Sequence, residues 1–143
     1  MAANPPLKSS LKQKQRSKEV SDEELLKVIA DFLEMGHVEN IVAMFKQESR
    51  YYNWVGTLLE DERFAVRLGV SVLFEYLAED CQDQLHLAIP SLAAALQHKT
   101  PWVRGEAISV LELIASDEAM ALIKTMIDDP APEVAALVRD ILG

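Results

Sequence analysis

Cysteine is almost missing from this chain of 143 residues. Cys81 stands alone, so no internal disulfide and no multi-cysteine zinc site can form, and a reducing compartment is expected. Glycine is scarce at 5 residues and aromatics make up only 6%, which argues against a glycine-punctuated β-sandwich and for an Ala/Leu/Val-rich helical protein. No apolar run approaches the roughly 18 to 20 residues that span a bilayer, and the first residues lack the apolar core of a signal peptide. The expectation is a cytoplasmic protein with no membrane partner. Phosphate-cradling loops of the GxGxxG or GxxxxGK(S/T) kind are also absent. His37, His86 and His98 are well separated and none belongs to a His-Glu pair or an HExxH motif, so no metal or other cofactor is expected. Cys81 sits among Glu79, Asp80 and Asp83, poor company for a nucleophile. No catalytic residues are assigned, and the chain reads as a non-enzyme.

What is present is an uneven charge. Residues 1–19 hold Lys8, Lys12, Lys14, Arg16 and Lys18 against Glu19, a balance of +4 within a total of −9, which leaves −13 on the rest. That body repels polyanions, so nucleic acid is not its partner. The tail, with Pro5-Pro6 and few apolar residues, is expected to be a disordered basic arm over 1–19. A helical domain fills 20–143.

Ser21-Asp22-Glu23-Glu24 offers a capping box, and Leu25, Ile29, Phe32 and Leu33 then form a helical stripe up to Gly36. The same periodicity predicts helices over about 22–35, 37–48, 50–60, 63–79, 83–97, 101–115, 117–127 and 132–142. Pro101 and Pro132 suit first turns. Short links and no strand signal make an all-α protein of about four antiparallel hairpins.

Laid over one another, the later hairpins align. Leu59-Glu60-Asp61 leads to Phe64-Ala65-Val66-Arg67, Leu96-Gln97-His98 to Pro101-Trp102-Val103-Arg104, and Ile127-Asp128-Asp129 to Pro132-Glu133-Val134-Ala135. Val66, Val103 and Val134 are 37 and 31 residues apart, a spacing that signals stacked helical repeats. An apolar residue, an acid, a turn and then Val-Arg opening a second helix resembles the HEAT repeat. The likeness is closest to the short repeats of bacterial proteins related to phycobilin lyase subunits, and it covers about 55–143. It implies an α-solenoid acting as a scaffold or adaptor. It also implies an inter-repeat ladder of turn acids and second-helix arginines, carried here by Asp61, Arg67, Arg104 and Asp129. Two positions depart from that ladder: His98 stands for the acid and Ala135 for the arginine.

On this register the second helices, about 37–48, 63–79, 101–115 and 132–142, make the inner row of a curved stack. Glu75, Glu79, Glu106 and Glu112 would give that face an acidic character, and the expected function is protein–protein interaction with a partner bearing a basic segment. The tail itself is one such segment, docking in cis or in trans. Tyr51, Tyr52 and Trp54 form the densest aromatic group, readable either as packing between hairpins or as an interaction anchor. Trp102 aligns with Ala65 and Glu133, both compatible with exposure, which makes it a candidate anchor. The apolar C-terminal helix is a candidate homodimer surface, since the ends of repeat stacks need a polar cap. Two alternatives remain: nucleic-acid association through the tail, and a lyase-like accessory subunit.

Overall fold

The computed structural model describes residues 20–143. The reading of 1–19 as a disordered basic tail lies outside the described residues. Within them the chain is all-α, with no strand. Helix α1 (Asp22–Glu34) begins where the Ser21 hydroxyl accepts from the Glu24 amide at 3.2 Å, and it ends before Gly36, whose φ of +82° is the left-handed conformation glycine adopts freely. Helix α2 spans Val38–Gln47.

The third and fifth predicted helices each open as a 3₁₀ segment. Ser49–Trp54 leads into the short α3 (Val55–Leu58), and Gln82–Ala88 leads into α5 (Ile89–Ala95). Pro90 explains the second restart, because a proline fits the first turn of an α-helix and not its interior. Between them runs α4 (Phe64–Asp80), and α6 (Pro101–Ile114), α7 (Asp117–Lys124) and α8 (Pro132–Leu142) follow. Prolines occupy the first turns of α6 and α8 as predicted. Thr100 precedes α6 without a side-chain cap, whereas the Ser116 hydroxyl caps α7 through the Ala119 amide at 3.1 Å. Ala115 closes α6 at φ +58°, a left-handed residue that no glycine marked.

Helix α4 packs along α1, α6 along α4, and α8 along α6. The other elements cover one side of that series: α2 lies against α1 and α4, α3 against α5, α5 against α6, and α7 against α6. Both helices of the first hairpin, 22–34 and 38–47, therefore lie against α4. Gly69 lets the α1 backbone reach α4, since a Cβ there would meet the Leu33 Cβ at 2.8 Å. One core runs through the helices, with Ile29, Ile41, Phe45, Val66, Phe74 and Leu92 fully enclosed.

Candidate interaction surface

The turns before α4, α6 and α8 share one device. Asp61 Oδ1 accepts from the Arg63 amide at 2.9 Å, His98 Nδ1 from the Thr100 amide at 3.0 Å, and Asp129 Oδ1 from the Ala131 amide at 2.9 Å. Each turn residue thus satisfies the backbone two positions on. His98 performs this part as well as an acid does, with the bond assigning its proton to Nε2.

The arginines that follow share a second device. Arg67 Nη1 donates to the Asp61 and Glu62 carbonyls at 2.8 and 3.0 Å, and Arg104 Nη1 donates to the His98 and Lys99 carbonyls at 2.9 and 3.2 Å. There the likeness ends. Arg104 Nε and Nη2 form a fork on Asp129 of the next turn, both at 2.8 Å, with side chains only 11% and 3% exposed. The guanidinium holds the Asp129 carboxyl below its usual range, helped by the Ala131 amide. The residue aligned with Asp129 in the turn after Arg67 is His98, not a carboxylate, and the buried Arg67 Nε has no partner. Its guanidinium lies instead between aromatic rings, 4.3 Å from Trp102 and 5.5 Å from Phe64. Asp61 takes its ion pair from Arg63, which also binds Asp31 and Glu34 at 2.9 Å and so ties the turn to α1. Of the four ladder residues, Arg104 and Asp129 pair with each other and Asp61 and Arg67 do not.

Tyr51 and Tyr52 are corrected from interaction anchors to core. Tyr52 is 1% exposed, meets Phe45 edge to face at 4.9 Å, and has its hydroxyl pushed up to about 12, chiefly by burial. Tyr51 is buried against Phe45 and Trp54. Trp102 is exposed as expected, with Arg67 over its ring. Glu75, Glu79 and Glu112 are exposed, whereas Glu106 is half-buried and its carboxyl is raised by that burial against the opposing pull of Arg67. On α8, Leu137, Ile141 and Leu142 pack partly into the core, and Glu133, Ala136, Arg139 and Asp140 are exposed.

The face of α4 turned away from the core is not the acidic surface expected from the sequence. Phe64, Leu68 and Tyr76 are among the large apolar residues left exposed, Leu68 at 51% and Tyr76 at 43%. With half-buried Val72 they recur every four residues and make a second stripe beside the core stripe of Val66, Val70, Leu73 and Leu77. That signal is visible in the sequence, because α4 is apolar nearly all round. Glu79 lies two helical turns beyond Val72 on the same line, and Glu75 flanks it. Across from the stripe stand Gly36 of the α1–α2 connection and Val38 and Glu39 of the first turn of α2. Two adjoining depressions of about 350 and 280 Å³ share Gly36, Val38 and Val72 and form one shallow groove, lined by no lysine or arginine.

Thirty-seven residues on, α6 carries Gly105 for Leu68 and Ser109 for Val72, while Leu113 stands for Tyr76, so two of the three aligned positions lack an apolar side chain. No helix among the described residues is long and apolar enough to cross a membrane, and none of their His, Cys, Asp and Glu side chains cluster to hold a metal ion. No protein-family model, curated protein or solved structure matches the chain.

Proposed function

We propose that this protein is a non-enzymatic interaction module, a HEAT-like α-solenoid that binds a basic, leucine-bearing polypeptide segment on the outer face of α4. The observation that carries the reading is the stripe of Leu68, Val72 and Tyr76 on a helix that also exposes Glu75 and Glu79, at positions where α6 holds Gly105, Ser109 and Leu113. Leu68 and Tyr76 are left exposed in a row with Val72, which packs only partly into the core, and a contiguous apolar set of this kind marks a contact surface. The acids Glu39, Glu75 and Glu79 give that surface its sign and favour a basic partner. Trp102, held by Arg67, extends the surface toward α6. Supporting the solenoid is the order of packing, α1 to α4 to α6 to α8, with turn residues that repeat their backbone bonds. Catalysis is disfavoured because the strongly perturbed groups Asp61, Arg63, Arg104 and Asp129 are consumed by one another in the turns.

The test is affinity capture from the native cell with three forms of the full chain: the natural sequence, Leu68→Asp/Tyr76→Asp, and Ser109→Asp. All substituted sites face outward, so helical circular dichroism is expected to be unchanged. Proteins retained by the natural chain and by Ser109→Asp should be lost from the α4 variant. Equal recovery by all three would overturn the proposal.

A further inference from the structure

The groove on α4 has a candidate occupant in the same polypeptide. We propose that the basic segment 1–19 docks in cis along α4, with Leu7 and Leu11 against Leu68, Val72 and Tyr76 and its lysines beside Glu39, Glu75 and Glu79. This inference rests on the reading of the α4 face as a peptide-binding surface and names its resident ligand.

Three observations converge on it. The first is charge: the segment carries +4, and the groove is lined by Glu39 and by Glu34, the latter paired with Arg63, with exposed Glu75 and Glu79 on α4 and no lysine or arginine in the lining. The depression between α1 and the turn before α4 is different, being lined by Lys27 and Arg63 among its acids. The one beside the Arg104–Asp129 pair includes Lys99 and Arg104. Neither suits a cationic peptide as well. The second observation is chemical. Leu7 and Leu11 each precede a lysine, so the segment alternates an apolar contact with a charge, which matches an apolar floor flanked by acids. The third is reach. The groove opens at Gly36, beyond the far end of α1, and 13 helical residues at 1.5 Å each span about 20 Å. The nine residues from Leu11 to Val20 extend to about 30 Å, enough to return along α1 with slack, and Leu7 reaches further still. A tether of this length gives an effective concentration on the order of millimolar, so a weak contact suffices to fill the groove.

A filled groove has a functional consequence. A partner must displace the segment before it binds, and the α4 face is then autoinhibited by a competitor of the same chemistry as its ligand.

The experiment is amide nuclear magnetic resonance on the full chain, comparing the natural sequence with Leu7→Ser/Leu11→Ser and with Lys8→Glu/Lys12→Glu. Both changes leave residues 20–143 unaltered in sequence. Each should move the resonances of Gly36, Leu68, Val72 and Tyr76 and leave Gly105 and Ser109 in place. Raising salt from about 0.1 M to about 1 M shortens the screening length from about 10 Å to about 3 Å and should move the natural spectrum toward that of the variants. Unchanged resonances at the four groove positions would overturn the proposal, as would changes centred on α6 or α8. A difference that fades on dilution would overturn docking in cis by assigning the segment to a neighbouring copy. Because the measurement uses no partner, loss of this proposal leaves the capture experiment to judge the α4 surface independently.

Discussion

Arg67 and Arg104 occupy the same place in consecutive helices and meet different fates. Both anchor the turn behind them through two backbone carbonyls, at nearly equal distances. Only Arg104 reaches a carboxylate in the turn ahead, because Asp129 stands where the earlier turn has His98. An arginine with the right spacing is therefore half of a bond between successive turns. The other half, Asp129 for Arg104, lies 25 residues away and is read only when the next turn is aligned. Where it is missing, the guanidinium turns to aromatic rings, and the α4–α6 junction gains an exposed Trp102 that the α6–α8 junction has no counterpart for.

Removing the complete pair should produce the largest effect. Arg104→Ala leaves Asp129 buried and unpaired, and chemical denaturation should show a loss of about 3 kcal/mol, at least twice the loss from Arg67→Ala. Equal losses would remove the distinction between the two turns. The same pair sets an acid dependence. Asp129 has a lowered carboxyl in the folded chain, so its stabilisation is complete above the ordinary aspartate value of about 4 and is lost as pH falls toward the lowered one. Asp129→Asn should lack that part of the acid loss, and a melt series from neutral pH down to about pH 3 compares the two.

Next in size is a steric contrast between the two helices. Gly69→Ala drives a Cβ into Leu33 at the α1–α4 crossing and should cost about 2 kcal/mol. Completing the deficient turn by His98→Asp should sharpen the comparison in the other direction. A carboxylate there keeps the acceptor for the Thr100 amide and offers Arg67 Nε a partner, a gain of about 1 kcal/mol. Since His98 Nε2 lies 3.7 Å from Glu60 Oε1, the change is made with Glu60→Gln in the background. A loss in that background would mean that Trp102 and Phe64 already satisfy the guanidinium. The smallest effect belongs to Gly105, whose Cβ would meet nothing within 4 Å. Gly105→Ala should raise stability by about 0.7 kcal/mol, the helix-propensity difference, seen as a small upward shift of the melting midpoint.

Much of this architecture is legible in the sequence, for identifiable reasons. The segments 22–34, 101–114 and 132–142 follow from a capping serine, from prolines in first turns and from apolar spacing of three and four. The 3₁₀ openings at 49–54 and 82–88 are hidden because single-turn geometry is decided by how Tyr51, Tyr52 and Leu85 reach the core, not by periodicity. The packing of α1 on α4 is hidden for a similar reason. It depends on the close approach of Leu33 and Gly69, a contact between residues 36 apart. The candidate surface was legible in part. Trp102 and the exposed acids stand where alignment puts them. The stripe of Leu68, Val72 and Tyr76 merges in the sequence with the core residues of a helix that is apolar on both sides. Only burial separates the two sets.

The central claim is that the outer face of α4, and not the equivalent face of α6, contacts the partner. A photo-crosslinking side chain placed at Leu68 or at Gly105 tests it in the native cell, since both positions point outward and align with each other in α4 and α6. Adducts to another polypeptide, or to residues 1–19 of the same chain, from position 68 and none from position 105 are predicted. Adducts of equal yield from both positions, or from 105 alone, would contradict the account.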